Sequence, residues 1–534
     1  MSAPSAPSEP APALAVDVLI VGGGINGCGI ARDLAGRGVR VLLCEQDDLA
    51  AHTSSASSKL IHGGLRYLEY GELRLVRKAL AEREVLMRMA PHLIEPLRFV
   101  MPHDAAMRPA WMIRTGLWLY DHLARRAWLP ASQALDLARD PAGALLQPQW
   151  RQGFAYADGW TDDARLVVLN ALDAAQRGAQ VRTRTRCERL QRHGAGWIAT
   201  LTDAAGQPLT VQARVVVNAA GPWAERLLRE RAGLPPRRHL RLVRGSHIVV
   251  PRLPGHTDAY LLQARDRRVV FVLPFEQRFS LIGTTDVEHT DDPGQASIAP
   301  EEIDYLCREV NRYLRTPIAA TDVVWHYSGV RPLLDDGGDA AAVTRDYRLE
   351  LDTVDGAALL TVWGGKITTY RTLAREAVQR LQPVLGLARV DDWTAHTPLP
   401  GGDMDRVVGP CATPMAARQR LLQHLRARWP WLDAATAARW VRAYGTLVLP
   451  WLQDARGAHD LGREVAPGLY EVELQHGVAH EWVHSADDVL WRRSKLGLHL
   501  TPRATAAVQD WLQRHGRATL GQTPRGVGTR TTCH

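Results

Sequence analysis

The first clear pattern is an apolar run, Asp-Val-Leu-Ile-Val at Asp17 to Val21. Its β-branched residues suit a strand covered on both faces of a parallel sheet. Glycines follow directly, and Ile30 to Leu34 then reads as helix, closed by Gly36 and Gly38. Val39 to Cys44 is a second apolar strand that ends at Glu45. Together they make a strand–turn–helix–strand unit of about 30 residues, the size of a βαβ motif. A helical spacing runs from Arg74 to Met89 and stops before Pro91. Strand patterns recur at Val181 to Leu201, Val211 to Val217, Arg241 to Val250, Val269 to Pro274 and Ser280 to Thr284. Past about residue 400 the strand signal fades. Helical patches such as Met415 to Arg428 and Ala434 to Tyr444 take over, and Leu399-Pro-Gly-Gly402 punctuates the change.

Composition narrows the class. The chain has 534 residues, of which 46% are hydrophobic and 23% charged, a globular balance that excludes a disordered or collagen-like chain. No apolar run reaches the ~18 residues of a membrane-spanning helix. The net charge of +8 suits an anionic substrate or surface, and does not by itself indicate nucleic acid. The first fifteen residues are rich in Ala, Pro and Ser and carry no Lys or Arg, so the positive start of a secretory signal is missing. A flexible tail over 1–15, a second over 521–534 and a cytoplasmic location are expected. Six scattered cysteines form no C-x-x-C pair, which argues against a zinc ribbon or iron–sulfur cluster. Lysine occurs only at 59, 78, 366 and 495, so 61 of the 65 basic residues are Arg. A lysine here marks a place where a forked guanidinium would not serve.

Gly22, Gly24 and Gly27 form G-x-G-x-x-G between the first strand and its helix. The first glycine permits the tight turn, the second lets a pyrophosphate approach the backbone, and the third lets helix and strand pack closely. The helix N-terminus then presents its dipole and free N–H groups to phosphate. Glu45, 23 residues past Gly22, is placed to accept ribose hydroxyls. The motif leaves FAD and NAD both open. A serine-rich loop from Thr53 to Ser58, and the pairs Gly63-Gly64 and Gly364-Gly365, offer bare backbone for a flat flavin ring.

Thr53 to Leu68 (T-S-S-A-S-S-K-L-I-H-G-G-L-R-Y-L) resembles the signature of FAD-dependent glycerol-3-phosphate dehydrogenases, as does Gly22 to Gly27. Arg244-Gly-Ser-His-Ile248, Ile282-Gly-Thr-Thr-Asp286, Tyr327-Ser-Gly-Val-Arg-Pro332, Gly364-Gly-Lys-Ile-Thr-Thr-Tyr-Arg371 and Asp487-Asp-Val-Leu-Trp-Arg-Arg493 are similar to the same family. The resemblance implies an α/β fold: a Rossmann-like FAD-binding domain, a mixed-sheet substrate domain and an α-helical C-terminal domain. FAD segments are expected at about 16–75, 155–235 and 330–395, substrate segments at about 76–154 and 236–329, and the helical domain at 400–520. It implies oxidation of sn-glycerol 3-phosphate to dihydroxyacetone phosphate, with electrons passed through FAD to ubiquinone or another membrane quinone.

The resemblance also assigns residues. Arg66, Tyr67, Thr284, Arg331 and Lys366 contact substrate, the cations meeting its phosphate. His62, between the serine loop and Arg66, is the candidate proton acceptor, its range suiting transfer near neutral pH; Arg331 acting electrostatically, or a water, is the alternative. Gly22, Gly24, Asn26, Gly27, Glu45, Thr53, Ser54, Ser55, Ser58, Lys59, His62, Gly63, Gly64, Ala220, Gly221, Gly365, Lys366, Ile367 and Thr368 are expected at the cofactor. A homodimer at the inner membrane surface completes the implied picture.

Arg108 to Trp128 interleaves Trp111, Met112, Trp118 and Tyr120 with Arg114, Arg125 and Arg126. Such an amphipathic helix can lie in a membrane interface. His480-Glu-Trp-Val-His484 matches H-E-x-x-H; a surface helix with two histidines, without metal, is the reading adopted. An oxidase that uses oxygen on the same substrate is the nearest alternative. A basic FAD-containing RNA-binding protein is the other, and the even spread of Arg without an RNA module argues against it.

Overall fold

The computed structural model describes residues 14–104, 107–335, 346–388 and 391–519. Leu14–Val21 is a central strand of the first sheet, between Pro208–Asn218 and Val41–Cys44, both parallel to it. Ala358–Trp363 extends the parallel set beyond Pro208–Asn218, and Gln180–Arg182 extends it beyond Val41–Cys44. Arg348–Asp352 closes one edge antiparallel. The register aligns Val21 with both Cys44 and Asn218, and Asn218 with Thr361. The segments after four strands therefore emerge side by side at one edge, where α/β sheets bind ligands.

Helices Ile25–Ala35, Asp163–Gln176 and Tyr370–Leu385 bury one face of this sheet around Val18, Ile20, Ile30, Leu34, Val167 and Leu373. The hairpin Arg186–His193 and Gly196–Thr202 helps cover the other face, around Leu19, Leu42, Trp197, Val216 and Trp363. Each such aliphatic side chain contributes roughly 1.5–3 kcal/mol on burial, so both faces of the run must be apolar.

The second sheet is mixed. Its order is Val287–Glu288, Leu240–Pro251, Phe279–Gly283, Val269–Phe275, Ala259–Gln263, Ile94–His103, Gln152–Thr161 and Leu60–Ile61. Trp325–Leu334 pairs antiparallel with Leu240 to Val249 of Leu240–Pro251. Only Ala259–Gln263 and Ile94–His103 run parallel in it. Beyond residue 400 the chain is mainly helical, with Pro414–Arg428, Ala434–Tyr444, Glu471–His480 and Pro502–Thr519 around a short ribbon. Thr413 and Asp433 cap the first two through the Ala416 and Thr436 amides.

Several expectations shift. The first helix begins at Ile25, five residues earlier than its apolar spacing suggested, with Gly24 at its N-cap and Gly27 in its first turn. The strand starts at Leu14, inside the tail drawn over 1–15; the rest of that tail and the one at 521–534 lie outside the described residues. Val181 to Leu201 is three strands, broken where Arg184 and Gly194 adopt φ of +49° and +56°. Tyr120 does not share the exposed face of its helix. It is buried, its phenol oxygen 2.8–2.9 Å from both Asp158 carboxylate oxygens and accepting the Gly63 amide at 2.8 Å.

The H-E-x-x-H stretch is no surface helix. The helix Glu471–His480 ends at its first histidine, and Trp482 has φ of +54°. Glu481 is 0% exposed and accepts from Arg165 Nη1 at 2.5 Å. The two histidines do not share a helical face, and the glutamate answers a buried arginine.

Candidate active site

The aligned strand ends open into a cavity of about 1160 Å³. One cluster on its wall is built by the first βαβ unit. Gly22 sits at φ +116°, and a Cβ there would lie 2.4 Å from Ala219 O. A Cβ on Gly27 would lie 1.9 Å from Gly22 O, so the third glycine sets the contact between turn and helix. The first turn of Ile25–Ala35 carries no acidic residue, which leaves its dipole for an anion. Ser54 Oγ accepts the Ile25 amide at 3.0 Å and ties the serine loop to that helix start.

Glu45 is buried. Its Oε2 accepts the Gly23 amide at 2.6 Å and its Oε1 the Asp47 amide at 2.9 Å. Burial pushes this carboxyl above its usual range, while the two amides and His52 pull it back. A carboxylate has about four lone-pair sites, so Glu45 retains capacity for ribose hydroxyls. Asn26 Nδ2 donates to Gly364 O at 3.2 Å, and its buried Oδ1 has no hydrogen-bond partner among the described residues. The glycine cradle, the anion-ready helix and this open acceptor fit a dinucleotide. Glu45, Asp47 and His52 also bring ligand atoms within 4.8 Å of one another. Amides on Glu45 and a 2.8 Å His52–Asp47 contact already account for that cluster.

The second cluster combines the other sheet with Lys366, which follows Ala358–Trp363 of the first. Arg331, on Trp325–Leu334, pairs with Asp286 and donates to Thr284 Oγ1 at 2.9 Å. It lies across Leu240–Pro251 because Gly245 has no side chain; a Cβ there would sit 2.1 Å from Arg331 Nη2. Likewise the His247 ring rests over Gly283, where a Cβ would be 2.2 Å from its Cδ2. Lys366 Nζ sits 3.7 Å from the centre of the Tyr67 ring, a cation–π contact. His62, Tyr67, His247, Thr284, Arg331 and Lys366 all line the cavity.

Of the expected cofactor residues, Gly22, Gly24, Asn26, Glu45, Thr53, Ser54, Ser58, His62, Ala220, Gly221, Gly365, Lys366, Ile367 and Thr368 line the cavity. Gly27, Ser55, Gly63 and Gly64 are not on its wall. Lys59 needs correction: it is fully buried, and its Nζ donates to Asp163 Oδ1 at 2.8 Å and Ser55 O at 3.0 Å, so it braces the loop from behind. Arg66 is also not on the cavity wall; its Nη2 lies 3.4 Å from Tyr70 Oη.

Two contributions escaped the sequence reading. His247 stands in the quoted Arg244–Ile248 stretch, yet only the packing of two antiparallel strands turns it inward. Its Nε2 contacts Ser58 Oγ at 2.9 Å, and its buried Nδ1 has no partner among the described residues. Burial, with Arg331 and Lys59 nearby, holds its pKa well below the ordinary value. Asp488 and Arg492 also reach the cavity from the C-terminal region.

The sequence pattern of the family described as "FAD dependent oxidoreductase" matches residues 17–371. The chain belongs to that family. As an FAD-dependent oxidoreductase it uses FAD. A second pattern, "C-terminal domain of alpha-glycerophosphate oxidase", matches residues 393–517. The oxidoreductase is 49% identical over 518 residues to the glycerol-3-phosphate dehydrogenase of Pseudomonas aeruginosa, covering 96% of this chain and 98% of the relative. It is 46% identical over 500 residues to the D-erythritol 1-phosphate dehydrogenase of Brucella abortus, covering 93% and 97%. It is 46% identical over 508 residues to the aerobic glycerol-3-phosphate dehydrogenase of Escherichia coli, covering 94% and 98%. The crystal structure of the glycerol-3-phosphate dehydrogenase from Bacillus halodurans with FAD superimposes with a TM-score of 0.69 at 24% identity, over 96% of each chain. That likeness establishes the shared fold.

Proposed function

We propose that this oxidoreductase converts sn-glycerol 3-phosphate to dihydroxyacetone phosphate and passes the electrons to a membrane quinone. The observation that carries the reading is that Arg331, Lys366, Thr284, Tyr67 and His62 all line one cavity. FAD, when bound, supplies the hydride acceptor. Arg331 and Lys366 hold the phosphate dianion, and Thr284 and Tyr67 add hydroxyl contacts. His62 receives the proton of the carbon-2 hydroxyl. Asp286 orients the Arg331 fork, which leaves less positive charge free there than a lone arginine would offer. The interleaved division into FAD and substrate segments, with a helical unit from about residue 400, is part of the same proposal, as is a homodimer.

Quinone as acceptor rests on the helix Ala110–His122. Trp111, Met112 and Trp118 are 67%, 42% and 60% exposed on it, with Arg114 exposed beside them. No helix of the described residues is long and apolar enough to cross a membrane. Peripheral attachment at the inner membrane is therefore the proposed location.

The test is anaerobic. Adding sn-glycerol 3-phosphate to purified holoenzyme should bleach the flavin bands, and a soluble ubiquinone should restore them. A flavin that ignores glycerol 3-phosphate but is bleached by D-erythritol 1-phosphate would move the substrate to the longer polyol phosphate of the Brucella relative. Recovery with oxygen alone would replace the quinone. Lys366→Met should lower kcat/KM by roughly 10- to 150-fold, the loss of one charged hydrogen bond of about 1.5–3 kcal/mol.

A further inference from the structure

The C-terminal region does more than cap the fold, because buried ion pairs tie it to both loops of the cofactor cradle. Asp48, in the turn after Glu45, is buried and is forked by Arg493, Nη1 at 2.7 Å and Nη2 at 2.8 Å. Arg493 Nε also donates to Glu481 O at 3.2 Å. Asp488 is buried, accepts the His484 and Ser485 amides at 2.8 and 2.9 Å, and receives Arg184 Nη2 at 2.7 Å. Arg184 is itself fixed to the cradle, its amide donating to Asp47 O at 2.8 Å.

The second tie uses two lysines. Lys495 and Lys59 are both buried and both adopt left-handed backbone, φ +58° and +60°. Lys495 Nζ donates to Asp162 Oδ1 at 3.0 Å and Trp491 O at 2.8 Å. Lys59 Nζ takes the adjoining Asp163, whose Oδ2 accepts the Ser57 amide at 3.1 Å and Ser57 Oγ at 2.7 Å. Each ammonium serves one carboxylate and one carbonyl, a compact point-donor role that a planar fork fits poorly. Asp162 and Asp163, at the start of helix Asp163–Gln176, thus join the serine loop to the C-terminal region.

We propose that the C-terminal region is the latch of the cofactor. Arg493 and Lys495 are positioning residues that hold the 45–48 turn and the 53–59 loop closed, and FAD leaves only when that contact opens. Coupling of this kind is reciprocal: FAD must tighten the C-terminal contact as much as the contact tightens FAD. The proposal concerns FAD retention and is independent of which polyol phosphate is oxidised.

Hydrogen exchange on the full-length wild-type protein, with FAD bound and with FAD removed, tests the reciprocity without any variant. Amides of 481–495 should exchange at least tenfold more slowly in the FAD-bound form. Protection confined to the 22–27 turn, with 481–495 unchanged, would overturn the latch. FAD release from Arg493→Met and Lys495→Met holoenzymes, followed by the rise of free flavin fluorescence, should be at least tenfold faster than from wild type. Arg439→Met breaks a half-buried fork within the C-terminal region, Arg439 to Glu473 at 2.5 and 2.7 Å, and should leave the release rate within twofold. Equal acceleration in all three would show that loss of stability alone frees the cofactor and would sink the proposal. Should Lys495→Met not fold, Asp48→Asn opens the other tie from the cradle side and carries the same expectation.

Discussion

Trp111→Ala with Trp118→Ala should detach the enzyme from anionic vesicles. The two residues are seven apart on helix Ala110–His122, whose opposite face is anchored by Leu117 and Tyr120. A tryptophan side chain offers up to roughly 250 Å². At 67% and 60% exposure the pair presents roughly 320 Å² to solvent. Complete transfer to an apolar medium would contribute about 8 kcal/mol at about 25 cal/mol per Å². An interfacial helix dips only part of that area among the acyl chains, and half of it leaves about 4 kcal/mol. That is close to a thousandfold in partition coefficient, at about 1.4 kcal/mol per tenfold. The alanines keep a methyl each, so a loss of about 100-fold or more is the working expectation. Co-sedimentation with vesicles containing anionic lipid, at fixed ionic strength, measures it. Flavin content must stay equal to wild type, since neither tryptophan lines the cavity. A fall of less than about fivefold would refute the reasoning and return this helix to the role of a packing element.

Other outcomes follow from the same geometry. Gly27→Ala forces a Cβ to within 1.9 Å of Gly22 O, so purified protein should lose most of its flavin absorbance relative to protein absorbance; full flavin content would contradict the cradle. Glu481→Gln strands the buried Arg165 and should destabilise the fold by about 3–5 kcal/mol in chemical denaturation, and wild type should carry no stoichiometric zinc. His92 is buried with neither ring nitrogen hydrogen-bonded among the described residues, and burial, with Arg165 and Arg418, holds its pKa down at about 3. Its unfolded value is near 6.5, so between those values the unfolded chain binds the extra proton, and stability is lost as pH falls. His92→Phe should remove up to about 1.4 kcal/mol per pH unit from the slope of stability between pH 4 and 6; an unchanged slope would refute it.

Local patterns carried much of this protein. The βαβ unit was legible because a doubly buried strand must be apolar throughout and because the close approach at Gly22 and Gly27 tolerates no Cβ. The helices Leu73–Met89 and Ala434–Tyr444 were legible because one apolar face repeats with the helical period. The scarcity of lysine drew attention to Lys59 and Lys366, yet gave no hint that Lys59 pairs with Asp163. Tertiary structure alone decided that Lys59 stands behind the cradle, that Tyr120 turns inward to Asp158, and that Glu481 answers Arg165 across 316 positions of sequence. The second cluster was decided the same way, since Arg331 and His247 meet only where antiparallel strands place them above Gly245 and Gly283. The physical reason is common to these cases. Period and glycine spacing are properties of neighbours in the chain, whereas the partner of a buried charge is chosen by which distant backbone the fold brings within about 3 Å.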